Sequence, residues 1–401
     1  MTGQMDMKSY CSHRRIVFGL FIVSLIAASG CDFEFGDWGQ ARYERTVSRQ
    51  APLAANDALD VATQSGSISV TGADVTDCNI VAEIVARAPT EEEAQQLAEQ
   101  VEIKAERIAD TLNVRADRPK LPRNCSIGVS YTITAPRKVN VKCDSNYGSI
   151  RLANIEGTVK GKSSSGSMKA EGIAGPIDLS TSYGSITCTS IIGPSALRSS
   201  SGSITVADLK GSAKIETSYG SITCEEFSGD DLVLKTSSGK IAVSDASFLT
   251  GAAETSYGSV VGAGLKGNAI KLHSSSGSVT LTEALADVVD LHTSYGRVEA
   301  RQITMAHLMA DSGSGSVDIV CSPETPADLT AEVKSSYGSV DFTAPPGFSG
   351  QVHLSTGYGQ IRTALPITLS GQISKKNVTG RIGEGNGTLR IETNSGSIEL
   401  K

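Results

Sequence analysis

The sequence TSYGSI occurs at residues 181–186 and again at 217–222, with the close variant SSSGSI between them at 199–204. Each copy has a glycine at its fourth position and an isoleucine two residues later. Serine and glycine favour turns, whereas isoleucine favours strands. A short motif that returns at a fixed interval indicates structural units that stack on one another, and not separate domains.

The glycines at the centre of these motifs set the period of the repeat. Successive glycines are 18 residues apart in the first part of the array and 19 apart later, with steps of 23 and 21 near its end. A first copy lies around Gly66 and a last copy, NSGSIEL, around Gly396. We therefore predict about 12 coils of 18–19 residues over residues 143–401. The turn glycines are Gly148, Gly166, Gly184, Gly202, Gly220, Gly239, Gly258, Gly277, Gly296, Gly315, Gly338 and Gly359.

Apolar residues recur at fixed distances from each turn glycine: five and seven residues before it, and two, four and seven after it. Side chains two residues apart on a strand point to the same face, so these positions predict about five inward side chains on three short faces. This pattern is typical of a parallel β-solenoid, a rod of roughly 55–60 Å at ~4.8 Å per coil. A second interpretation, in which one turn takes two repeats, stays open, although one repeat already supplies all the inward positions. For the repeat of Gly184 the inward residues are Ile177, Leu179, Ile186, Cys188 and Ile191.

The segment before the array predicts different structure. Residues 55–142 combine alternating strand-like segments with a helix near 90–106, where Thr90 can cap the first turn and three glutamates follow. We interpret this segment as a small α+β cap on one end of the solenoid. The irregular stretch 365–390 is expected to cover the other end. Cys78 and Cys125 both precede the array and are candidates for a disulfide.

The first residues are typical of an export signal. Lys8, Arg14 and Arg15 precede the apolar run 16–28, which is too short to span a bilayer. The sequence ASGC follows and resembles the bacterial lipobox, so we expect 1–30 to be a signal peptide and Cys31 to be lipidated. Residues 31–54 then form a tether from a membrane-anchored Cys31. The net charge of −7 and the lack of a basic cluster disfavour nucleic acid as a partner.

The many TSYGSI and SSSGSI copies, preceded by VSYTITAP at 129–136, resemble a bacterial domain-of-unknown-function family named "putative adhesin". The resemblance covers residues 55–400. It implies a right-handed parallel β-helix in an exported or envelope-anchored protein. It implies no catalytic residues, because the family has none agreed.

The residue just before the turn glycine is tyrosine in every second repeat and serine in most others. A tyrosine offers a flat apolar ring with a polar tip, so this row is our candidate binding ladder for glycan rings or a partner protein. The simpler explanation, which the sequence alone favours, is that each ring folds over the serine corner of the next coil and shields backbone. The ladder consists of Tyr147, Tyr183, Tyr219, Tyr257, Tyr295, Tyr337 and Tyr358.

Three other groups of residues are candidates for a metal site, a catalytic site or an ice-binding surface, and a solvent-exposed surface row explains each of them better. His273 and His292 lie on neighbouring coils in an otherwise charged outward row, near Asp311, but a solvated charge ladder explains them better than a metal site. Polysaccharide-active β-helices need convergent carboxylates in a groove between long loops, and this array has almost no insertions. The nearest acidic clusters are 230–231 and 287–290. Rows of Ser and Thr like those of antifreeze surfaces are interrupted by charges. We expect neither catalysis, nor a metal, nor a cofactor.

The sequence therefore predicts a non-catalytic lipoprotein of the cell envelope that acts as an adhesin or interaction module, periplasmic or surface-exposed. Its expected partners are the membrane, through the lipid anchor, and a glycan or envelope protein. Two alternatives stay open: a periplasmic scaffold or stress-signalling partner, suggested by Asp32 after the lipidated cysteine, and a polysaccharide-active β-helix enzyme.

Overall fold

The computed structural model describes residues 40–370 and 374–401. Of these residues, 63% lie in strands and 3% in a helix, and they form an all-β solenoid of about 11 turns. The predicted fold class is thereby confirmed. The elements before the regular array are β1 (Ala41–Pro52), β2 (Ala58–Thr63), β3 (Ile68–Ala73), β4 (Asp77–Ala88), α1 (Glu91–Glu99), β5 (Glu102–Ile108), β6 (Thr111–Asp117) and β7 (Ser126–Pro136).

The regular coils run from residue 140 to residue 343, and most contribute one strand before the turn glycine and one after it. Where no loop separates two coils, a single long strand continues from one coil into the next. The strands are β8 (Asn140–Ser145), β9 (Ile150–Ile155), β10 (Val159–Ser163), β11 (Met168–Ala174), β12 (Ile177–Thr181), β13 (Ile186–Ile192), β14 (Ser195–Ser199), β15 (Ile204–Lys210), β16 (Ala213–Thr217), β17 (Ile222–Ser228), β18 (Asp231–Thr236), β19 (Ile241–Ser247), β20 (Thr250–Thr255), β21 (Val260–Ser274), β22 (Val279–Thr293), β23 (Val298–Thr304), β24 (His307–Ser312), β25 (Val317–Cys321), β26 (Thr330–Ser335) and β27 (Val340–Thr343).

The register between coils decides between one repeat per turn and two. Val159 of β10 pairs in parallel with Ile177 of β12, and Met168 of β11 pairs with Ile186 of β13. Both pairs are 18 residues apart, which is one repeat. Each turn therefore takes one glycine-centred repeat, and tyrosines two repeats apart lie two coils apart.

The core is the set of rows predicted from the sequence. In the coil of Gly184, the five predicted inward side chains are buried, with at most 2% of each exposed. The same positions are buried along the array, so apolar contacts continue from coil to coil. Burial of such rows stabilises each coil only when its neighbours are in place.

The turn glycines are required by close approach between coils. A Cβ built on Gly184 would lie 2.0 Å from the carbonyl oxygen of Gly166 in the coil beneath. No side chain tolerates that distance. The left-handed corner lies elsewhere, six residues after the turn glycine, where φ is 51–64° at residues such as Asn154, Ser190 and Asp208. Nine residues after the turn glycine, φ is also positive at Gly193 (138°) and Gly211 (123°).

At the amino-terminal end, coils stack out of chain order. Strands β2 and β3 pair with β8 and β9 on one side and with β6 and β7 on the other, all in parallel. Residues 58–73 therefore form a coil of the solenoid. On one side of it lies the first coil of the regular array, and on the other side lies the coil of β6 and β7. Beyond it, β4 pairs antiparallel with β7, and β1 pairs antiparallel with β4.

Two boundaries predicted for this segment are wrong. Residues 41–52 are not tether but strand β1, whose periodicity is hidden by charged exposed residues. Helix α1 begins after the Thr90 cap, as predicted, but ends at Glu99. Residues 102–106, which we expected to lie in this helix, belong to strand β5, which pairs antiparallel with β6 despite its helix-forming residues. The interpretation of the remaining elements as a cap stays a prediction.

The carboxyl-terminal end is also stacked out of order. Its strands are β28 (Gly350–Thr356), β29 (Ile361–Thr363), β30 (Thr368–Leu369), β31 (Asn377–Ile382), β32 (Gly387–Thr393) and β33 (Ile398–Leu400). Strand β32 pairs in parallel with both β26 and β28, and β33 pairs with both β27 and β29. The coil of residues 387–400 is thus inserted between coils 330–343 and 350–363. Strand β31 covers the far edge of β28.

The export signal, the lipobox and Cys31 lie outside the described residues. In the part of the chain that the structure describes, no helix is both long and apolar enough to cross a membrane. Cys78 and Cys125 are free thiols, so the predicted disulfide is wrong. Burial raises the pKa of Cys188 and of Cys224 to about 12, which keeps these core thiols protonated and unreactive.

Candidate binding face along the turn glycines

A row of buried hydroxyls lines the inner side of the turns. In the coil of Gly220, Thr217 Oγ1 accepts a hydrogen bond from the Gly220 N–H at 3.3 Å and donates one to the Gly202 carbonyl at 3.0 Å. The hydroxyl therefore satisfies one backbone group of its own coil and one of the coil beneath. The row consists of Ser145, Ser163, Thr181, Ser199, Thr217, Thr236, Thr255, Ser274, Thr293, Ser312, Ser335, Thr393 and Thr356.

Two residues further along each turn, the tyrosine row points outward. The seven side chains are exposed to nearly the same extent, from 67% for Tyr337 to 78% for Tyr358. A ring that folded over the neighbouring coil to shield its backbone would lose most of its exposure. The shielding explanation favoured by the sequence therefore accounts poorly for these tyrosines. The structure gathers all seven predicted ladder residues along one edge of the rod.

The alternation of tyrosine and serine is stricter in space than in sequence. In chain order Tyr337 is followed by Tyr358, which breaks the pattern. The inserted coil places Gly396 between Gly338 and Gly359, so Ser395 lies between the two tyrosines. Gly66 stacks beneath Gly148 in the same way and adds a serine level below Tyr147. The row is Ser65, Tyr147, Ser165, Tyr183, Ser201, Tyr219, Ser238, Tyr257, Ser276, Tyr295, Ser314, Tyr337, Ser395 and Tyr358.

The charged row four residues before the turn glycine forms ion pairs between coils. Glu254 accepts from Lys235 and Lys271, each at 3.0 Å, and these lysines lower the pKa of the Glu254 carboxyl. Exposed pairs of this kind contribute about 0–1 kcal/mol each. The row fixes the surface charge but adds little stability.

The His273 and His292 rings are neighbours, as predicted, with centroids 5.4 Å apart. They do not converge on one point. His273 Nε2 lies 3.0 Å from Asp290 but forms no hydrogen bond there, and His292 Nδ1 lies 3.3 Å from Asp311. Within residues 40–370 and 374–401, no group of three or more His, Cys, Asp or Glu side chains is arranged to hold a metal ion.

The two acidic clusters considered for catalysis are separated on the surface. Asp231 accepts a hydrogen bond from the Thr250 hydroxyl, whereas Asp290 faces His273. Asp230 is exposed at the bend before β18, and Asp287 is exposed within β22. The Asp231 and Asp290 carboxyl groups have separate partners.

Sequence reasoning found the tyrosine row but missed the hydroxyl row. The signal was a Ser or Thr three residues before every turn glycine. It was hidden because the neighbouring positions are also rich in serine. The position three residues before the turn glycine differs from the neighbouring serine positions only in that its side chain is buried.

Residues 225–401 match the model of a protein family described as Toastrack DUF4097. No curated protein matches the chain. Among solved structures, it is similar to a "putative adhesin" from Bacteroides fragilis NCTC 9343, with 12% identity, coverage of 89% of this chain and 97% of that chain, and a TM-score of 0.21.

A "putative cell adhesion protein" from Clostridium sporogenes ATCC 15579 is 9% identical, with coverage of 89% and 99% and a TM-score of 0.18. A "putative adhesin" from Parabacteroides merdae ATCC 43184 is 11% identical, with coverage of 73% and 96% and a TM-score of 0.23. The family resemblance seen in the repeats is confirmed by this match, which covers residues 225–401 of the chain.

Proposed function

We propose that this protein is a non-catalytic interaction module of the cell envelope that binds an extended partner along the tyrosine row. The single observation that carries the proposal is the set of seven tyrosines, each at least 67% exposed, in strict alternation with serine. Steric crowding explains why serines separate the tyrosines. It does not explain why aromatic rings stand at this edge at all.

An exposed tyrosine contributes little to the fold. A ring that is about a third buried gains on the order of 1 kcal/mol from burial. The same ring gains much more when a partner covers it, which is why tyrosine is enriched at binding surfaces. The neighbouring serine side chains are short and leave each ring accessible from both sides.

The proposed location follows from the first residues of the chain. Lipidation of Cys31 would fix the module to a membrane, with the segment up to Gly39 before strand β1. Replacing Cys31 by Ser should release the protein into the soluble fraction and abolish labelling by a radioactive fatty acid. Labelling that persists in this variant would overturn lipidation at Cys31. Protein found only at the inner membrane would favour a periplasmic scaffold or a stress-signalling partner over a surface adhesin.

The binding role is tested on the row itself. Tyr183, Tyr219, Tyr257 and Tyr295 are replaced together by serine, and the protein is used to retain material from envelope extracts. We expect retention to be lost while the circular dichroism spectrum and melting temperature stay close to those of the wild type. The matched control replaces the same four residues by phenylalanine, which keeps the rings, and should retain the material.

Two results would overturn the proposal. If the serine variant unfolds, the row is structural. If it retains envelope material as well as the wild type, the partner binds elsewhere.

A further inference from the structure

We propose that the tyrosine row takes one class of ligand, an extended, uncharged β-1,4-linked polysaccharide, with one disaccharide for every two coils. This inference rests on the proposed function and names the ligand of the same surface. Three features of the surface carry it: the period of the rings, the neutral lining and the length of the row.

The period is set by the coil rise. Tyrosines two coils apart are separated by ~9.6 Å along the rod, because each coil adds ~4.8 Å. This spacing is about the length of one disaccharide in an extended β-1,4-linked chain. Successive sugars in such a chain are turned over relative to each other, so the same ring face recurs once per disaccharide. A chain lying along the row would therefore present the same face to every tyrosine.

The lining suits a ligand that has hydroxyls and no charge. The residues flanking the row in the central coils are serines that can donate and accept hydrogen bonds, with the aromatic rings between them. Most of the charged side chains lie further back, in the row four residues before each turn glycine. Lys240 and Arg297 are exceptions just after the turn glycine. Outside the central coils, charged residues such as Arg151 and Asp318 also lie three residues after it. At the end of the row, the Lys376 ammonium lies 5.3 Å from the centre of the Tyr358 ring. The flanking serines of the central coils are Ser182, Ser185, Ser200, Ser203, Ser218 and Ser221.

The length of the row makes the binding additive. From Tyr147 to Tyr358 there are six intervals, which span roughly 58 Å. Each disaccharide added to a bound chain reaches one further tyrosine. Weak single contacts thereby combine into useful affinity without a deep pocket.

The alternation also fits a second copy of this chain, because large and small levels of two antiparallel rows could interlock. A self-associating row would be a subunit interface and not a glycan site. The experiment therefore includes the oligomeric state of the free protein.

The test uses β-1,4-linked oligosaccharides of two, four, six and eight sugars, prepared from chitin and from cellulose. Their affinities for the wild-type protein and its variants are measured by isothermal titration calorimetry. We expect affinity to rise about fivefold for each added disaccharide. α-1,4-linked oligosaccharides of the same lengths coil and should show no such rise. Tyr257→Ser leaves three tyrosines on each side and should remove the rise between six and eight sugars, whereas Tyr257→Phe should keep it.

Two sources could supply this chemistry: the glycan strands of the cell's own wall, whose sugar rings are uncharged although their peptide stems are not, or external polysaccharides. Co-sedimentation with purified peptidoglycan sacculi, chitin and cellulose distinguishes them. Binding to sacculi alone supports a wall ligand, and binding to chitin or cellulose supports an external one.

Three outcomes would overturn the ligand class. Equal binding of α-linked and β-linked chains would do so, as would a tyrosine-dependent dimer of the free protein. The third is that no β-linked chain binds, although the four-serine variant still fails to retain the envelope material that the wild type retains. In that third case the proposed function stands and only the polysaccharide is wrong.

Discussion

Thr217 and Tyr219 lie two residues apart in the same turn, yet they belong to different parts of the molecule. Thr217 is 7% exposed and its hydroxyl joins two backbone groups of successive coils. Tyr219 is 71% exposed. Side chains two residues apart on a strand point to the same side. The strand ends at Thr217, however, and the turn that follows directs Tyr219 outward. The same contrast recurs along the rod: the inner row holds the coils together, and the outer row is exposed.

The contrast separates two kinds of repetition. The inner row repeats because every coil must satisfy the same backbone groups, so one Ser or Thr serves each level. The outer row repeats with twice that period, which the backbone does not require. A surface pattern with a period of its own is the reason for assigning function to the outer row.

The largest effect is expected from a deletion that interrupts both rows. Ending the chain at Asn386 removes the inserted coil, including Thr393 from the inner row and Ser395 from the outer one. It also removes Leu389, Ile391, Ile398 and Leu400, all fully buried, with a loss of roughly 6–12 kcal/mol of burial free energy. We expect residues 350–369 to lose protection in hydrogen-exchange mass spectrometry.

The control for this deletion is Ser395→Ala, which keeps the coil and should leave protection unchanged. Full protection of 350–363 in the shortened chain would show that the coils at this end can stack in chain order after all.

A smaller effect is expected at the inner row alone. Thr217→Val keeps the shape of the side chain but leaves the Gly220 N–H and the Gly202 carbonyl without this partner. We expect the free energy of unfolding to fall by about 2 kcal/mol in urea denaturation. Thr217→Ser is the matched control and should cost less than about 1 kcal/mol, because serine fills this role in neighbouring coils. Equal losses for the two variants would assign the effect to packing and not to hydrogen bonds.

The smallest effect on stability is expected at the outer row. Tyr219→Ser should lower the free energy of unfolding by no more than about 1 kcal/mol, since most of the ring faces solvent. The measurement is the same urea titration as for Thr217. A loss as large as that of Thr217→Val would mean that the tyrosine supports the coil, and the contrast between the two rows would disappear.

Much of the fold could be predicted from the sequence, because the same pattern of apolar positions recurs in many repeats. An exception in one repeat then does not change the assignment of inward and outward positions. The five inward positions are correct for the coil of Gly184 and recur along the array, since each prediction rests on many copies of one pattern. Single segments had no such support. The helix after Thr90 was predicted too long, because the helix-forming residues at 102–106 are overridden by pairing with a strand.

The order of the coils could not be predicted from the repeat alone. Every coil presents the same motif, so the local sequence allows any coil to stack on any other. The irregular steps of 23 and 21 residues, and the adjacent Tyr337 and Tyr358, marked the place where chain order and stacking order part. For the candidate site, the sequence located the tyrosine row, but the exposure of its rings required the structure.

The inserted coil has a consequence for synthesis. Coils from residue 159 to residue 343 can be added one after another as the chain emerges, because each stacks on the one just made. Coil 350–363 cannot take its final place on the rod until residues 387–400 have been made, since they lie between it and coil 330–343. A chain that stops early therefore exposes an unpaired strand edge and is open to proteolysis. Because of this stacking order, a complete chain has this strand edge paired, whereas a chain that ends before residue 387 leaves it unpaired.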